Sequence, residues 1–174
     1  ERPLTEHGRE QAQAIARALV SRGIQFDAVI SSPLVRARQT AEEMLQNMPG
    51  PLADLEFCQH LSPGGKPRKL TRFLLGVSGE AVAIIGHEPD LSEFIGRLIG
   101  GRSAQIDFAK AGVALVQCDG VPDKNRGTLK WLLTPDWMME PAIAEPPKVA
   151  VNKTALLRAL DWPSKSPSRC REHP

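Results

Sequence analysis

Helical patterns and short apolar segments alternate along most of this chain. Residues 5–22 place Ala, Ile and Leu at helical spacing, with Thr5 as the expected N-cap and Gly23 as the expected stop. The next segment, residues 26–31, is short, apolar and rich in β-branched side chains, as in a buried parallel strand. This alternation predicts a doubly wound α/β fold with a mostly parallel sheet and helices on both faces.

The same alternation of helical patterns and apolar segments predicts three further helices and four further strands. The second helix begins at Pro33 and extends to Met48, the third carries Leu70–Val77, and the fourth carries Leu91–Ile99. The four further strands are residues 55–58, 81–86, 112–117 and 127–133. A polar turn joins the last two strands, which predicts a hairpin. An α/β chain normally opens with a strand, whereas a helix opens this one, so we expect the first central strand to be missing from the sequence.

The chain divides by composition into residues 1–140, the expected folded domain, and residues 141–174, a tail rich in proline. The tail has six Lys and Arg against three Asp and Glu, and the preceding 140 residues have 16 against 17. We expect the tail to be loosely attached or disordered. A nearly neutral domain argues against a nucleic-acid-binding protein, although the basic tail leaves open an arm that binds nucleic acid or a partner.

Composition excludes several other classes of protein. The sequence contains no run of about 18 apolar residues, so no membrane span is expected. It has no signal-peptide pattern, and its three cysteines (Cys58, Cys118 and Cys170) form no CxxC pair. An odd, widely spaced set of cysteines suits a reducing compartment, so we expect a cytoplasmic protein.

Arg36 follows the predicted strand 26–31 by one helical turn, in the sequence Ser31-Ser32-Pro33-Leu34-Val35-Arg36. Ligands of open α/β sheets bind beyond the carboxyl ends of the strands, where helix N-termini also point. With Ser32 as a cap and Pro33 in the first helical position, free N–H groups, the helix dipole and the guanidinium could converge on an anion. The alternative is an ordinary surface arginine.

His87 stands at the second junction of this kind, after the apolar strand 81–86. Asp90 and Glu93 have the spacing of a capping box, and Gly86 permits close approach of the backbone. A protonated imidazole here could neutralise a phosphoryl oxygen, and a neutral one could orient a neighbour. The alternative is a half-buried histidine that bonds a loop carbonyl. Two similar junctions, one with Arg36 and one with His87, favour an anion site.

Other candidate sites are weaker. Cys58-Gln59-His60 is too sparse for a zinc site, and the chain has no GxSxG, GxGxxG or Walker sequence. His7, in the first helix, is expected to face solvent. Trp131, Trp137 and Met138 are expected to pack in or near the core rather than to stack on bases.

Three segments resemble the histidine phosphatase superfamily, and more narrowly its SixA-type phosphohistidine phosphatases. They are RPLT at 2–5 with Gly8 beyond it, SSPLVRARQTA at 31–41 and GHEPDLS at 86–92. The loop Leu61-Ser62-Pro63-Gly64 is also similar to one of the SixA branch. The resemblance extends to about residue 135 and implies a phosphoglycerate-mutase-like α/β domain whose pocket lies at the carboxyl end of the sheet.

The resemblance also implies the chemistry. A histidine in an Arg-His-Gly motif takes up the phosphoryl group of a phosphoprotein, and water then releases phosphate. By matching position, Arg36 is the second arginine and His87 the second histidine, both binding phosphate, with no metal or cofactor. His60 occupies the neighbourhood in which a proton donor would be sought, but the resemblance assigns no acid to this chain.

The Arg-His-Gly motif belongs at the end of a strand before the RPLT segment, and this sequence begins at Glu1. Glu6-His7-Gly8 is no substitute, because a helix is predicted there. We therefore expect the chain as given to lack its nucleophile and to be inactive. The alternative to a truncated enzyme is a degenerate module that recognises phosphate without turning it over.

Overall fold

The computed structural model describes residues 2–50, 53–100 and 106–135. Within these ranges the order of elements is α1 Glu6–Val20, β1 Ala28–Ser31, α2 Val35–Gln46, β2 Asp54–Phe57, α3 Pro67–Leu74, β3 Val82–Ile85, α4 Asp90–Ile99, β4 Val113–Cys118 and β5 Gly127–Leu133. A short 3₁₀ turn, Gln59–Leu61, connects β2 to the loop before α3. The α/β class predicted from the alternating pattern is confirmed.

The central sheet has the strand order β2-β1-β3, and both pairings are parallel. In this register Ser31 lies between Phe57 on β2 and Ile85 on β3, so all three strands end at the same edge. The strands β4 and β5 form a separate antiparallel pair, which confirms the predicted hairpin. The residues that follow β1 and β3 are therefore neighbours at one edge of the sheet.

Side chains of β1 alternate between the two faces of the sheet. Ala28 and Ile30 join a core cluster with Leu70, Leu74, Phe94 and Leu98 of α3 and α4. Val29 points the other way and packs with Ala41 and Leu45 of α2. The predicted arrangement of helices on both faces is confirmed, and it makes β1 a fully buried central strand.

The two helices α1 and α2 pack side by side against the second face. Ile15 and Leu19 of α1 meet Met44 of α2 in a third core cluster, against which Trp131 packs. At the edge of this contact, Glu43 accepts hydrogen bonds from Arg9 at 3.1 Å and from Gln13 at 2.7 Å. The expected packing role of Trp131 is thus confirmed, whereas Trp137, Met138 and the tail 141–174 lie outside the described residues.

Helix ends follow local polar contacts, and two sequence predictions fail there. Helix α2 begins at Val35 rather than Pro33, because Leu34 keeps an extended backbone (φ −68°, ψ 140°) as the N-cap. Asp90 does not cap α4, since it is the first residue of that helix and its carboxylate accepts a hydrogen bond from the Gly64 N–H instead. Thr5 does cap α1, by accepting from the Gly8 N–H at 3.1 Å.

None of the helices in the described ranges has the length and apolar character needed to cross a bilayer.

Candidate active site

Ser32 extends the pairing of β1 and β3 by one step beyond the strands. Its backbone N–H donates to the Ile85 carbonyl at 2.9 Å, and its side chain has no exposure to solvent. The Ser32 hydroxyl oxygen also accepts from the Leu34 N–H at 3.3 Å, which satisfies a donor just before α2. Ser32 is therefore fixed by both the sheet and the approach to the helix.

His87 leaves the end of β3 directly beside this serine. Its Nε2 atom lies 3.0 Å from the Ser32 hydroxyl oxygen, within hydrogen-bond distance. The tautomer of the imidazole decides which atom donates. The histidine predicted at the second junction thus bonds a side chain of the first junction, not a loop carbonyl.

Arg36 lies in the first turn of α2 and is exposed. The pKa of His87 lies below its ordinary value of 6.5, first because burial disfavours the imidazolium and second because the Arg36 guanidinium repels it. The Asp90 carboxylate acts in the opposite direction. The structure therefore brings Arg36 and His87 to one edge of the sheet, where a guanidinium and an imidazole would flank an anion.

A loop between the 3₁₀ turn and α3 forms the wall next to His87. A cavity of about 10 Å³, enough for about one water molecule, is lined by residues of both sides, among them His60, Pro67, His87 and Asp90. The Gly64 N–H donates to Asp90 Oδ2 at 3.0 Å, which ties the loop to the start of α4. A Cβ atom on Gly65 would lie 2.0 Å from the His60 carbonyl oxygen, so only glycine fits there.

The RPLT segment reaches the same edge from α1. The Leu4 N–H donates to Gln39 Oε1 at 2.6 Å, and Gln39 lies about one helical turn beyond Arg36 on α2. By contrast, His7 is exposed on α1 and lies 3.6 Å from Glu10, as the helical pattern predicted. The motif residues 2–5, Arg36 and His87 thus share one region, and His7 is not part of it.

Sequence reasoning missed two polar partners in this region. Ser32 was expected only as a helix cap, yet it is also the partner of His87. Asp90 was expected as a cap, yet it holds the Gly64 loop. Both residues lie within the motif segments 31–41 and 86–92, and this position is the sequence feature that could have indicated a role in the site. A position in a motif does not show which atoms a side chain contacts. Cys58, in contrast, is 2% exposed and packs in the core beside Leu61.

Comparison with known proteins supports the α/β fold described above. The family model of the histidine phosphatase superfamily (branch 1) matches residues 1–59. These residues include the RPLT segment, Ser32 and Arg36. Over these residues the chain is similar to the histidine phosphatase superfamily.

Three further similarities extend over most of the chain. Phosphohistidine phosphatase SixA of Escherichia coli (strain K12) is 28% identical over 139 residues, covering 77% of this chain and 82% of the relative. The structure of the protein histidine phosphatase SixA complexed with tungstate aligns with TM-score 0.68 and 26% identity, covering 79% and 86% of the two chains. A SixA structure from Agrobacterium tumefaciens, 22% identical with TM-score 0.63 and coverage of 78% and 84%, shares the fold. These similarities, which extend over most of the chain, are to proteins of the SixA type.

Proposed function

We propose that this protein is a phosphohistidine phosphatase that removes phosphate from a phosphoprotein through a phosphohistidine enzyme intermediate. The observation that carries the proposal is the junction of β1 and β3, where His87 bonds Ser32 within the electrostatic reach of Arg36. The relative in Escherichia coli named as a phosphohistidine phosphatase, and the SixA structure that holds tungstate, an oxyanion, support this reading.

Arg36 and His87 would bind the oxygens of the transferring phosphoryl group. The planar guanidinium offers two parallel N–H donors, which match two phosphoryl oxygens. His87 would supply a further N–H donor, and a bound phosphate dianion would favour its protonated form. Since the transition state spreads charge over three oxygens, positioned cations of this kind supply much of the catalysis.

The reaction would take place in two steps. In the first, a histidine of the enzyme attacks phosphorus, a new P–N bond forms, and the P–N bond of the substrate breaks as its imidazole takes a proton. In the second, water attacks the phosphohistidine of the enzyme, and inorganic phosphate leaves. Neither step changes an oxidation state or calls for a metal or cofactor.

The attacking histidine would lie in an Arg-His-Gly segment preceding Glu1, since that triplet is absent from the 174 residues. Two features support this placement. Within the described ranges β3 pairs on one side only, with β1, so its other edge is open to a further strand. The Leu4–Gln39 hydrogen bond also holds the start of the chain at the candidate site.

A second candidate is a module that recognises phosphate without catalysis, since Arg36 and His87 at one edge of the sheet would serve binding as well as turnover. Such a module would keep Arg36 and His87 and would bind a phosphoprotein without hydrolysing it. In either case we propose that the partner is a phosphoprotein and that the protein is cytoplasmic. The free thiols of Cys58 and Cys118 support the cytoplasmic location, because thiols stay reduced in that compartment.

Mass spectrometry of the amino terminus of the naturally expressed protein separates the two candidates. A preceding segment that ends in Arg-His-Gly, together with release of phosphate from a phosphohistidine protein, supports the enzyme. A mature terminus at or near Glu1, with binding of tungstate but no turnover, supports the module. Failure to bind tungstate or phosphate at all, in protein that folds, would contradict both.

A further inference from the structure

The start of α3 carries a cluster of exposed cations beside the candidate site. Lys66 is the N-cap of this helix, and Arg68 and Lys69 follow in its first turn. Within the described part of the chain, none of the three forms an ion pair. We refer to Lys66, Arg68 and Lys69 as the basic surface.

This placement of charge opposes local stability. The first turn of a helix has a positive dipole end, which favours carboxylates and disfavours cations. Helices α1 and α4 follow that rule, with Glu6 in one first turn and Asp90 and Glu93 in the other. Helix α3 has no acidic residue in its first turn and no side-chain cap. Residues that oppose local stability, such as cations in the first turn of a helix, are found mostly at functional sites.

Helix α2 breaches the same rule, and its first-turn cation is Arg36, the candidate phosphate ligand. The basic surface lies close to His87, the other candidate phosphate ligand, because Pro67 at the start of α3 lines the same small cavity as His87. The bond between Gly64 and Asp90 fixes the loop that leads into α3. The cations of the basic surface therefore border the candidate site on α3, a second helix beside α2, and the loop before α3 is held in place.

We propose that the basic surface binds acidic side chains flanking the phosphorylated residue of a protein substrate; this proposal rests on the proposed function. Charge complementarity selects the partner, since three exposed cations that form no ion pair with a carboxylate of the described residues attract a protein segment rich in Asp and Glu. A small phosphate ester would not reach them. The basic surface would thus favour phosphoproteins with acidic surroundings over small phosphates.

The test compares two variants with the same change in net charge. The first replaces the basic surface (Lys66→Gln, Arg68→Gln and Lys69→Gln). The control replaces three exposed cations on other elements (Arg17→Gln, Arg22→Gln and Lys130→Gln). The midpoint of unfolding of the first variant should be unchanged or higher, because repulsion from the helix dipole is removed. The control, which loses cations at the end of α1, should not gain stability.

The probes are two peptides with a stable phosphonate analogue of phosphohistidine at the centre, one flanked by Asp and Glu and the other by Asn and Gln. Binding is measured by fluorescence anisotropy. The unaltered protein and the control should bind the acidic peptide about tenfold more tightly at low salt, as expected for a few exposed ion pairs. The first variant should lose this preference, and about 1 M salt should abolish the preference in the unaltered protein and in the control.

Several outcomes would overturn the proposal: no preference in the unaltered protein, an equal loss in the control, or a preference retained by the first variant. Equal competition by a single-stranded RNA of the same charge would show a general polyanion surface instead. Binding of tungstate separates the two proposals. If tungstate binds without a preference for the acidic peptide, the basic surface fails alone. If the preference is present but tungstate does not bind, the phosphatase assignment fails alone.

Discussion

The Ser32 hydroxyl oxygen and the His87 Nε2 atom lie 3.0 Å apart and connect the carboxyl ends of β1 and β3. Ser32 has no exposure, and its backbone N–H is already bonded to the Ile85 carbonyl. The imidazole of His87 is therefore oriented by a group that is itself held by the sheet. Such support from buried neighbours is what keeps a binding side chain in one geometry.

Replacement of Ser32 by alanine should loosen His87 without removing it. The variant Ser32→Ala loses the bond to Nε2 and leaves the Leu34 N–H without its acceptor. We expect turnover of a phosphohistidine substrate by the intact enzyme to fall about tenfold, the equivalent of one lost hydrogen bond. Steady-state kinetics measures this, and histidine NMR reports the tautomer of His87.

Ser31→Ala is the matched control for this variant. Ser31 is equally buried, but its hydroxyl donates to the Ser32 carbonyl oxygen, whereas the recorded side-chain partner of His87 is Ser32. Its turnover per folded molecule should therefore stay near that of the unaltered enzyme. Equal losses in the two variants would mean that a polar core, rather than the bond to His87, controls activity.

Arg36→Ala should lower turnover by about 10³ or more, because a guanidinium clamp on a transferring phosphoryl group has an effect of that size. Stability should change little, since Arg36 is exposed. The control Arg38→Ala removes an equally exposed arginine of the same helix, which pairs with Glu42 at 3.5 Å. A loss of less than about tenfold in Arg36→Ala, or an equal loss in the control, contradicts the assigned role.

The sequence predicted the layers of this fold because its strands are buried on both faces. Ile30 and Val29 are both apolar since each faces a helical layer, and that burial produces a continuous apolar run. Helix starts were less predictable. The proline ring holds φ near the value of a helix, but the Ser32 hydroxyl oxygen accepts from the Leu34 N–H and Leu34 keeps an extended backbone, so the helix begins only at Val35.

The candidate site was only partly accessible from sequence. Two junctions with similar patterns indicated that Arg36 and His87 could meet, because parallel strands end at a common edge. The contacts between Ser32 and His87, and between Gly64 and Asp90, join residues far apart in the chain. They depend on the strand order β2-β1-β3, which no local pattern specifies.

His87→Ala and Cys58→Ser should have opposite consequences. Removal of His87 takes away a donor to the phosphoryl group, so turnover should fall severely while the fold is retained. Cys58→Ser places a hydroxyl in the core, at a cost of about 1–3 kcal/mol of unfolding free energy, but turnover per folded molecule should be nearly unchanged. Kinetics paired with denaturant unfolding separates the two effects. A Cys58→Ser variant that folds yet has lost turnover would indicate thiol chemistry instead.

The stability of the protein should fall as the pH is lowered through the range in which His87 titrates in the unfolded chain. Burial, followed by the Arg36 charge, lowers the pKa of His87 below 6.5 in the folded state. Below about pH 6.5 the unfolded chain therefore binds a proton at this residue that the folded chain does not, and unfolding is favoured. The stabilisation is complete above that pH and is lost progressively towards the folded pKa.

Denaturant unfolding of the unliganded protein between pH 5.5 and pH 7.5, values about one unit on either side of the unperturbed histidine pKa, measures this effect. The variant His87→Gln should show a flatter dependence of unfolding free energy on pH. Arg36→Ala should lie between the two, because it removes the second cause of the shift but not burial. The lowered pKa values of Asp27, Glu43 and Asp123 act only at more acidic pH, so they do not mask the result. An unchanged pH dependence in His87→Gln would show that this histidine is not held in its neutral form.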